Sequence, residues 1–143
     1  AWAIYGFVLS YIHTGEEKYL NTAKSVAHYF IANIYTDFLP LIDFRAPKEP
    51  VVYDSTAGAI AACGLIEIAK NVPEYEKDLY LSAAVRLLKS MDLKFCDYSD
   101  EEDAILKGGS GAYSGDIDMP IIYGDYFFTE AILKLMGSEF LPW

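Results

Sequence analysis

Apolar residues recur along this chain in two alternating registers. A stretch that is apolar on almost every face is followed by one whose apolar residues fall three and four apart, which is the spacing of one face of an α-helix. Ala1 to Tyr11 is of the first kind. A helix hydrophobic all round has to be covered on all sides, and this one is too short to span a bilayer. It opens without an initiator Met, a cap or a charged leader, as though continuous with a longer polypeptide, and the expectation is an inner helix of a two-layer helical protein over about 2–14. Gly15 breaks it. Glu16 and Glu17 then suit the positive end of a second helix, about 16–35. Its buried stripe is predicted at Tyr19, Leu20, Ala23, Val26, Ala27, Phe30 and Ile31.

A proline-rich connection over about 36–53 carries Pro40, Pro47 and Pro50, too many for regular structure. Asp54-Ser55-Thr56 is good N-cap chemistry, and Ala57 to Ile68 reads as a mostly apolar helix whose small residues permit close approach. Pro73 opens its amphipathic partner, about 73–95, with a stripe of Tyr80, Leu81, Ala84, Val85, Leu87, Leu88 and Met91 and with Lys77, Arg86 and Lys89 in solvent. Lys18-Tyr19-Leu20-Asn21-Thr22-Ala23 weakly matches Leu79-Tyr80-Leu81-Ser82-Ala83-Ala84, which suggests repeated helical hairpins. The segment about 97–118 is an acidic loop, Asp97 and Asp100-Glu101-Glu102-Asp103, that becomes glycine-rich at Gly108-Gly109-Ser110-Gly111. A last helix, about 122–136, ends before Gly137 as its C′ residue. The tail Phe140-Leu141-Pro142-Trp143 is expected to pack back. The reading is a single all-α domain over 1–143.

With 53% hydrophobic residues in 143, the chain has the means to bury a core. Its net charge of -10 argues against nucleic-acid and anionic-membrane partners, which need basic surfaces. The 12 Tyr, 8 Phe and 2 Trp fill cores and also stack on flat ligands such as sugars. Cys63 and Cys96 have no paired spacing and no neighbouring His, so they read as buried thiols in a reducing compartment. No anchor is visible, and a cytoplasmic location is the default expectation.

Candidate chemistry is sparse. Paired carboxylates in a cleft can act as general acid and base, but Asp54, followed by Ser-Thr at a helix start, reads as a cap, and Asp100 to Asp103 as a solvated face. His13 and His28 lie on different helices without metal-site spacing. The glycine run lacks the preceding strand and following Lys-Ser or Lys-Thr of a phosphate loop. No nucleophile elbow or Cys-His pair occurs, and no metal or cofactor is expected.

Three stretches carry a family resemblance: Ala1-Trp2-Ala3-Ile4-Tyr5-Gly6-Phe7, Asp54 to Leu65 (Asp-Ser-Thr-Ala-Gly-Ala-Ile-Ala-Ala-Cys-Gly-Leu), and Ile122-Tyr123-Gly124-Asp125-Tyr126-Phe127-Phe128-Thr129-Glu130-Ala131. In order and spacing they resemble the unsaturated glucuronyl hydrolases, glycoside hydrolases that act on lyase-generated oligosaccharides. The resemblance implies an (α/α)6 toroid of alternating inner and outer helical hairpins, of which this chain would be the C-terminal part. In the family an Asp serves as general acid and base to hydrate the C4=C5 bond of the unsaturated uronic acid, and the hemiketal that forms collapses to break the glycosidic link. Both catalytic aspartates belong to the N-terminal half, so no catalytic residue is carried over and Asp54 is not placed in their role. An Arg-Gly-Gln precedes the Trp in the family; here only Trp2 remains. The resemblance implies Trp2, and with it Tyr113 and Gly124, as parts of the substrate wall, no cofactor, an unsaturated uronyl oligosaccharide as ligand, and inactivity of this chain alone unless it self-associates or meets a missing N-terminal half. Asp125 reads as an N-cap or a buried acceptor that orders the last helix. An unsaturated rhamnogalacturonyl hydrolase and a noncatalytic helical-repeat module that binds protein are the alternative readings.

Overall fold

The computed structural model describes residues 1–34, 36–45, 49–101 and 103–141. Five helices follow one another: α1 (Trp2–Thr14), α2 (Glu17–Ile34), α3 (Ser55–Lys70), α4 (Glu74–Phe95) and α5 (Ile122–Leu135). Among the described residues there is no strand, only isolated antiparallel bridges at Leu41 with Tyr53, Cys96 with Leu106 and Gly109 with Met119. Tyr35, Pro47, Glu102, Pro142 and Trp143, which figure in the predicted elements, lie outside the described residues.

Helix α3 is the hub, packed against α1, α4 and α5. Every residue from Gly58 to Ala69 is buried, which is what a helix apolar on all faces requires. Small side chains let its neighbours come close. A methyl group at Gly64 would sit 2.8 Å from both Ile4 Cγ2 and the Tyr5 backbone nitrogen, and one at Gly58 would sit 2.6 Å from Met91 Sδ. The α1 backbone and the Met91 side chain of α4 therefore pack against glycine surface on α3. α2 and α4 are the outer, amphipathic partners. α2 buries Leu20, Ala23, Ala27 and Phe30 as the spacing predicts and adds Ile34, while Tyr19, Val26 and Ile31 are only half-buried. α4 buries Tyr80, Ala84, Leu87, Leu88 and Met91, with Leu81 and Val85 at its margin.

The element ends follow local chemistry. α1 stops at Gly15, which takes the left-handed conformation (φ 71°) and returns its N–H to the Tyr11 carbonyl at 2.7 Å. Asp54 caps α3 by accepting the Thr56 N–H at 3.1 Å. Gly137 beyond α5 also has positive φ, 94°. Two predicted surface cations are less free than expected: Arg86 lies 3.8 Å over the Phe38 ring, and Lys77 pairs with Glu74 at 3.6 Å. The tail returns as expected in its described part, where the Phe140 carbonyl accepts from Lys134 Nζ at 3.0 Å and Leu141 packs against the core.

The N-terminal ends of α1, α3 and α5 meet on one side of the molecule. Trp2 and Tyr123, at the starts of α1 and α5, have ring centroids 6.3 Å apart, and Gly124 faces Thr56 at the start of α3. The three nearly apolar helices are thus the inner layer with a common polarity, and α2 and α4 clasp them from outside.

Candidate functional site

Trp2 stands at this shared end. Its ring meets Phe127 edge to face, with centroids 5.3 Å apart at 86°, and Tyr126 meets the same Phe127 at 4.9 Å and 89°. These are the geometries that aromatic quadrupoles favour. Phe127 is buried and holds the cluster, whereas Trp2 is 59% exposed, so the indole is supported along an edge and open over much of its surface. From Trp2 a groove of about 450 Å³ runs down α1 past Tyr5, Gly6 and Leu9 to His13 and Thr14, with Tyr19 on its far side.

The glycine-rich segment is tied to the same end by the start of α3. Asp54 Oδ1 accepts from the Thr56 hydroxyl and, at 3.3 Å, from the Ser110 N–H. Ser55 donates its N–H to the Gly108 carbonyl at 2.9 Å and its hydroxyl to the Lys107 carbonyl at 2.6 Å. Ser110 Oγ donates to the Tyr53 carbonyl at 2.7 Å. Asp54 is therefore a cap and also a clasp. Glycine is required where this segment closes down: Gly108 has φ 75° and lies against the Phe95 ring, and a methyl group at Gly109 would meet Thr56 Cγ2 and the Met119 carbonyl at 2.9 Å.

The three sequence-predicted wall residues sit differently. Trp2 is on the exposed aromatic cluster. Tyr113 is 41% exposed in the turn closed by Gly111 N–H and the Asp116 carbonyl, and its ring does not touch Trp2. Gly124 is buried, its α-carbon close enough to α3 that a methyl group would lie 3.1 Å from Thr56 Cγ2. Asp125 is an acceptor, half-buried and not buried as expected, and it is not a cap: the cap position is Ile121, and the Asp125 carboxylate takes the Ile105 and Leu106 N–H groups at 3.1 and 2.6 Å.

Beneath the aromatic cluster lies a charged network that the sequence reading does not contain. Tyr5 donates its hydroxyl to Glu130 Oε1. Lys134 Nζ lies 3.3 Å from the same oxygen and donates to Glu67 Oε1 at 2.8 Å, and Lys70 reaches Glu67 at 2.9 Å. Tyr5, Glu67, Glu130 and Lys134 are all buried, and Glu130 Oε2 has no hydrogen-bond partner. Burial, reinforced by the hydrogen bond to Glu130, pushes the Tyr5 phenol well above its ordinary range. Cys63, which donates to the Phe127 carbonyl at 3.2 Å, is likewise pushed far up by burial.

His28 stacks on Tyr80 with its Nε2 2.8 Å from the phenol oxygen, and His13 lies on the exposed groove. Among the described residues no group of His, Cys, Asp or Glu is placed to hold a metal ion, and no helix is long and apolar enough to cross a membrane.

No family model matches the chain. Individual relatives do. An unsaturated glucuronyl hydrolase of Bacillus sp. (strain GL1) is 38% identical over 141 residues, covering 94% of this chain and 37% of the relative. An unsaturated chondroitin disaccharide hydrolase of Streptococcus pneumoniae is 30% identical over 150 residues, covering 100% and 38%. Among solved structures, the Bacillus enzyme superposes with a TM-score of 0.87 at 35% identity over 95% of this chain and 38% of that one. An unsaturated glucuronyl hydrolase of Streptococcus agalactiae superposes with 0.91 at 26% identity over 99% and 37%. The chain thus spans under two fifths of the length of each of these relatives. It belongs to the unsaturated glucuronyl hydrolase family, of whose α/α barrel it forms a part.

Proposed function

We propose that this chain is the substrate-wall portion of an enzyme that removes the unsaturated uronic acid from lyase-generated oligosaccharides by hydrating its C4=C5 bond. The observation that carries this reading is Trp2, an indole held edge-on by Phe127 and open to the mouth formed by three inner-helix starts. An aromatic face of this kind suits the apolar side of a sugar ring. The converging N-terminal ends of α1, α3 and α5 add a positive dipole field that favours a carboxylate-bearing ligand. Tyr113 serves the wall from the glycine-rich turn, and Gly124 by letting the start of α5 close onto Thr56.

The chain supplies the wall without the acid. Asp54 is committed to the α3 cap and the Ser110 clasp, Asp125 to two backbone N–H groups, and Glu130 to Tyr5. Each of these carboxylates already serves a structural bond, which supports looking for the general acid elsewhere. On this reading the catalytic aspartates belong to the part of the barrel this chain does not span, and the chain alone is inactive. Ile122 (84% exposed), Met136 (77%) and Phe140 (62%) leave an apolar face along α5, which supports coverage by the remainder of the barrel or by a second copy.

One relative is described in complex with dGlcA-GalNAc6S, another with dGlcA-Glc-Rha-Glc, and a third as specific for heparin. The unsaturated uronate is the group common to the first two, so the ligand proposed here is defined by that group and the neighbouring sugar is left open. The test is loss of the conjugated-alkene absorbance of an unsaturated glucuronyl disaccharide, with this chain and a polypeptide extended upstream of Ala1 compared. Turnover by the extended protein alone is the expected result. Turnover by the short chain overturns the assignment of the missing aspartates, and silence in both overturns the enzymatic reading.

A further inference from the structure

We infer that Tyr5 is a positioning residue for Trp2, acting through its hydrogen bond to Glu130; this rests on Trp2 being the sugar-facing element of the wall. The two helices that carry the aromatic cluster, α1 and α5, meet through rings: Trp2 with Tyr123 and Phe127, and Tyr5 with Phe127 at 6.1 Å. Such rings prefer edge-to-face angles, but the preference is shallow, so ring contacts resist sliding along the helix axes less than a hydrogen bond does. The Tyr5 hydroxyl to Glu130 carboxylate bond allows little sliding, because its donor and acceptor are fixed in distance and angle. Trp2 lies one turn before Tyr5 on the same helix, so fixing Tyr5 against α5 fixes the indole over Phe127.

The way Glu130 is buried argues for this role over simple stabilisation. One oxygen receives Tyr5 and lies 3.3 Å from Lys134, and the other is buried with no partner. A half-satisfied buried carboxylate is costly, and an apolar residue of the same volume would hold a core as well or better. What the side chain adds is an acceptor oxygen at a fixed place, and with it register. Glu130 itself is held from below by Lys134, which is anchored in turn to Glu67 on α3 and to the Phe140 carbonyl. All three inner helices therefore converge on the acceptor that Tyr5 uses.

The experiment uses the whole chain in a Trp143→Phe background, leaving Trp2 as the sole indole. Tyr5→Phe keeps the ring and deletes only the hydroxyl. Fluorescence anisotropy and the near-ultraviolet dichroism of Trp2 are expected to fall while unfolding stays cooperative, and affinity for an unsaturated glucuronyl disaccharide is expected to weaken by about five- to tenfold, as loss of one such bond implies. Glu130→Gln retains an acceptor for Tyr5 and is expected to keep the Trp2 signal near wild type. Glu67→Gln, which weakens the anchor of Lys134 but spares the Tyr5 bond, should lower stability while loosening the indole less than Tyr5→Phe does. Tyr5→Phe with unchanged Trp2 anisotropy and dichroism overturns the inference. A wild-type chain whose Trp2 does not respond to the disaccharide overturns the functional reading instead, and the anisotropy of Tyr5→Phe still decides whether the pair positions the ring.

Discussion

The carboxylate of Asp54 accepts the backbone N–H of Ser110, a residue 56 positions further along the chain, at 3.3 Å. The same oxygen caps α3 through Thr56, so one side chain fixes both the start of the central helix and the base of the turn that bears Tyr113. Asp54→Ala is expected to cost about 1–2 kcal/mol from the cap. It should also release the 108–118 segment to protease before the helices melt. Asp54→Asn keeps an acceptor and should retain most of both. Thermal unfolding and limited proteolysis check this; an Ala variant whose cleavage pattern matches wild type would refute the clasp.

Close packing of α1 on α3 predicts opposite responses at two glycines. A methyl group at Gly64 meets Tyr5 backbone nitrogen at 2.8 Å and Tyr5 Cα at 3.0 Å, atoms that cannot swing aside, whereas nothing lies within 4 Å of one at Gly6. Gly64→Ala should destabilise by about 1–3 kcal/mol through overpacking. Gly6→Ala should be neutral or gain about 0.5–1 kcal/mol through reduced backbone entropy in the unfolded chain. Urea unfolding of the two variants gives the comparison, and equal midpoints would contradict the contact.

What could be read from the sequence followed from local rules. The five helices came from apolar spacing and from punctuation at Gly15, Asp54, Pro73 and Gly137, all of which act within a turn or two. The resemblance rested on three stretches whose family the comparisons bear out. The Tyr5, Glu67, Glu130 and Lys134 network was invisible because its members reach one another only after three helices pack. Glu130 and Lys134, four apart, look in sequence like an ordinary surface pair, and a Glu inside the apolar run Leu65-Ile66-Glu67-Ile68 was the one local hint. The partners of Asp125 were equally out of reach, since the N–H groups it takes come from a loop with no periodicity.

The two thiols should differ in reactivity. Burial pushes the Cys63 thiol far up, and Cys96, half-buried, is raised by the same cause. The thiolate is the nucleophile, so at neutral pH an alkylating reagent should modify Cys96 slowly and Cys63 only once α3 and α5 separate, because Cys63 is hydrogen-bonded to the Phe127 carbonyl. Peptide mass spectrometry across a urea series reads this order. Labelling of Cys63 at the rate of Cys96 without denaturant would show that the α3–α5 interface opens in the native state.

Acid should weaken one loop contact in a defined window. The hydrogen bond from Lys107 Nζ, at 2.6 Å, and then that from Ser99 N–H, at 2.9 Å, hold the Asp97 carboxyl well below the usual carboxylate range. A group whose pKa is depressed on folding contributes stability that is present above its unfolded pKa of about 3.9 and is lost as pH falls toward the folded value. Asp97→Asn should therefore unfold earlier in urea than wild type at about pH 7, with the gap between the two narrowing at about pH 3. The pair is partly solvated, with 34% and 29% of the two side chains exposed, so added salt should also narrow the gap at neutral pH. A difference that stays constant from neutral to acid would mean that Asp97 acts through loop geometry and not through its charge.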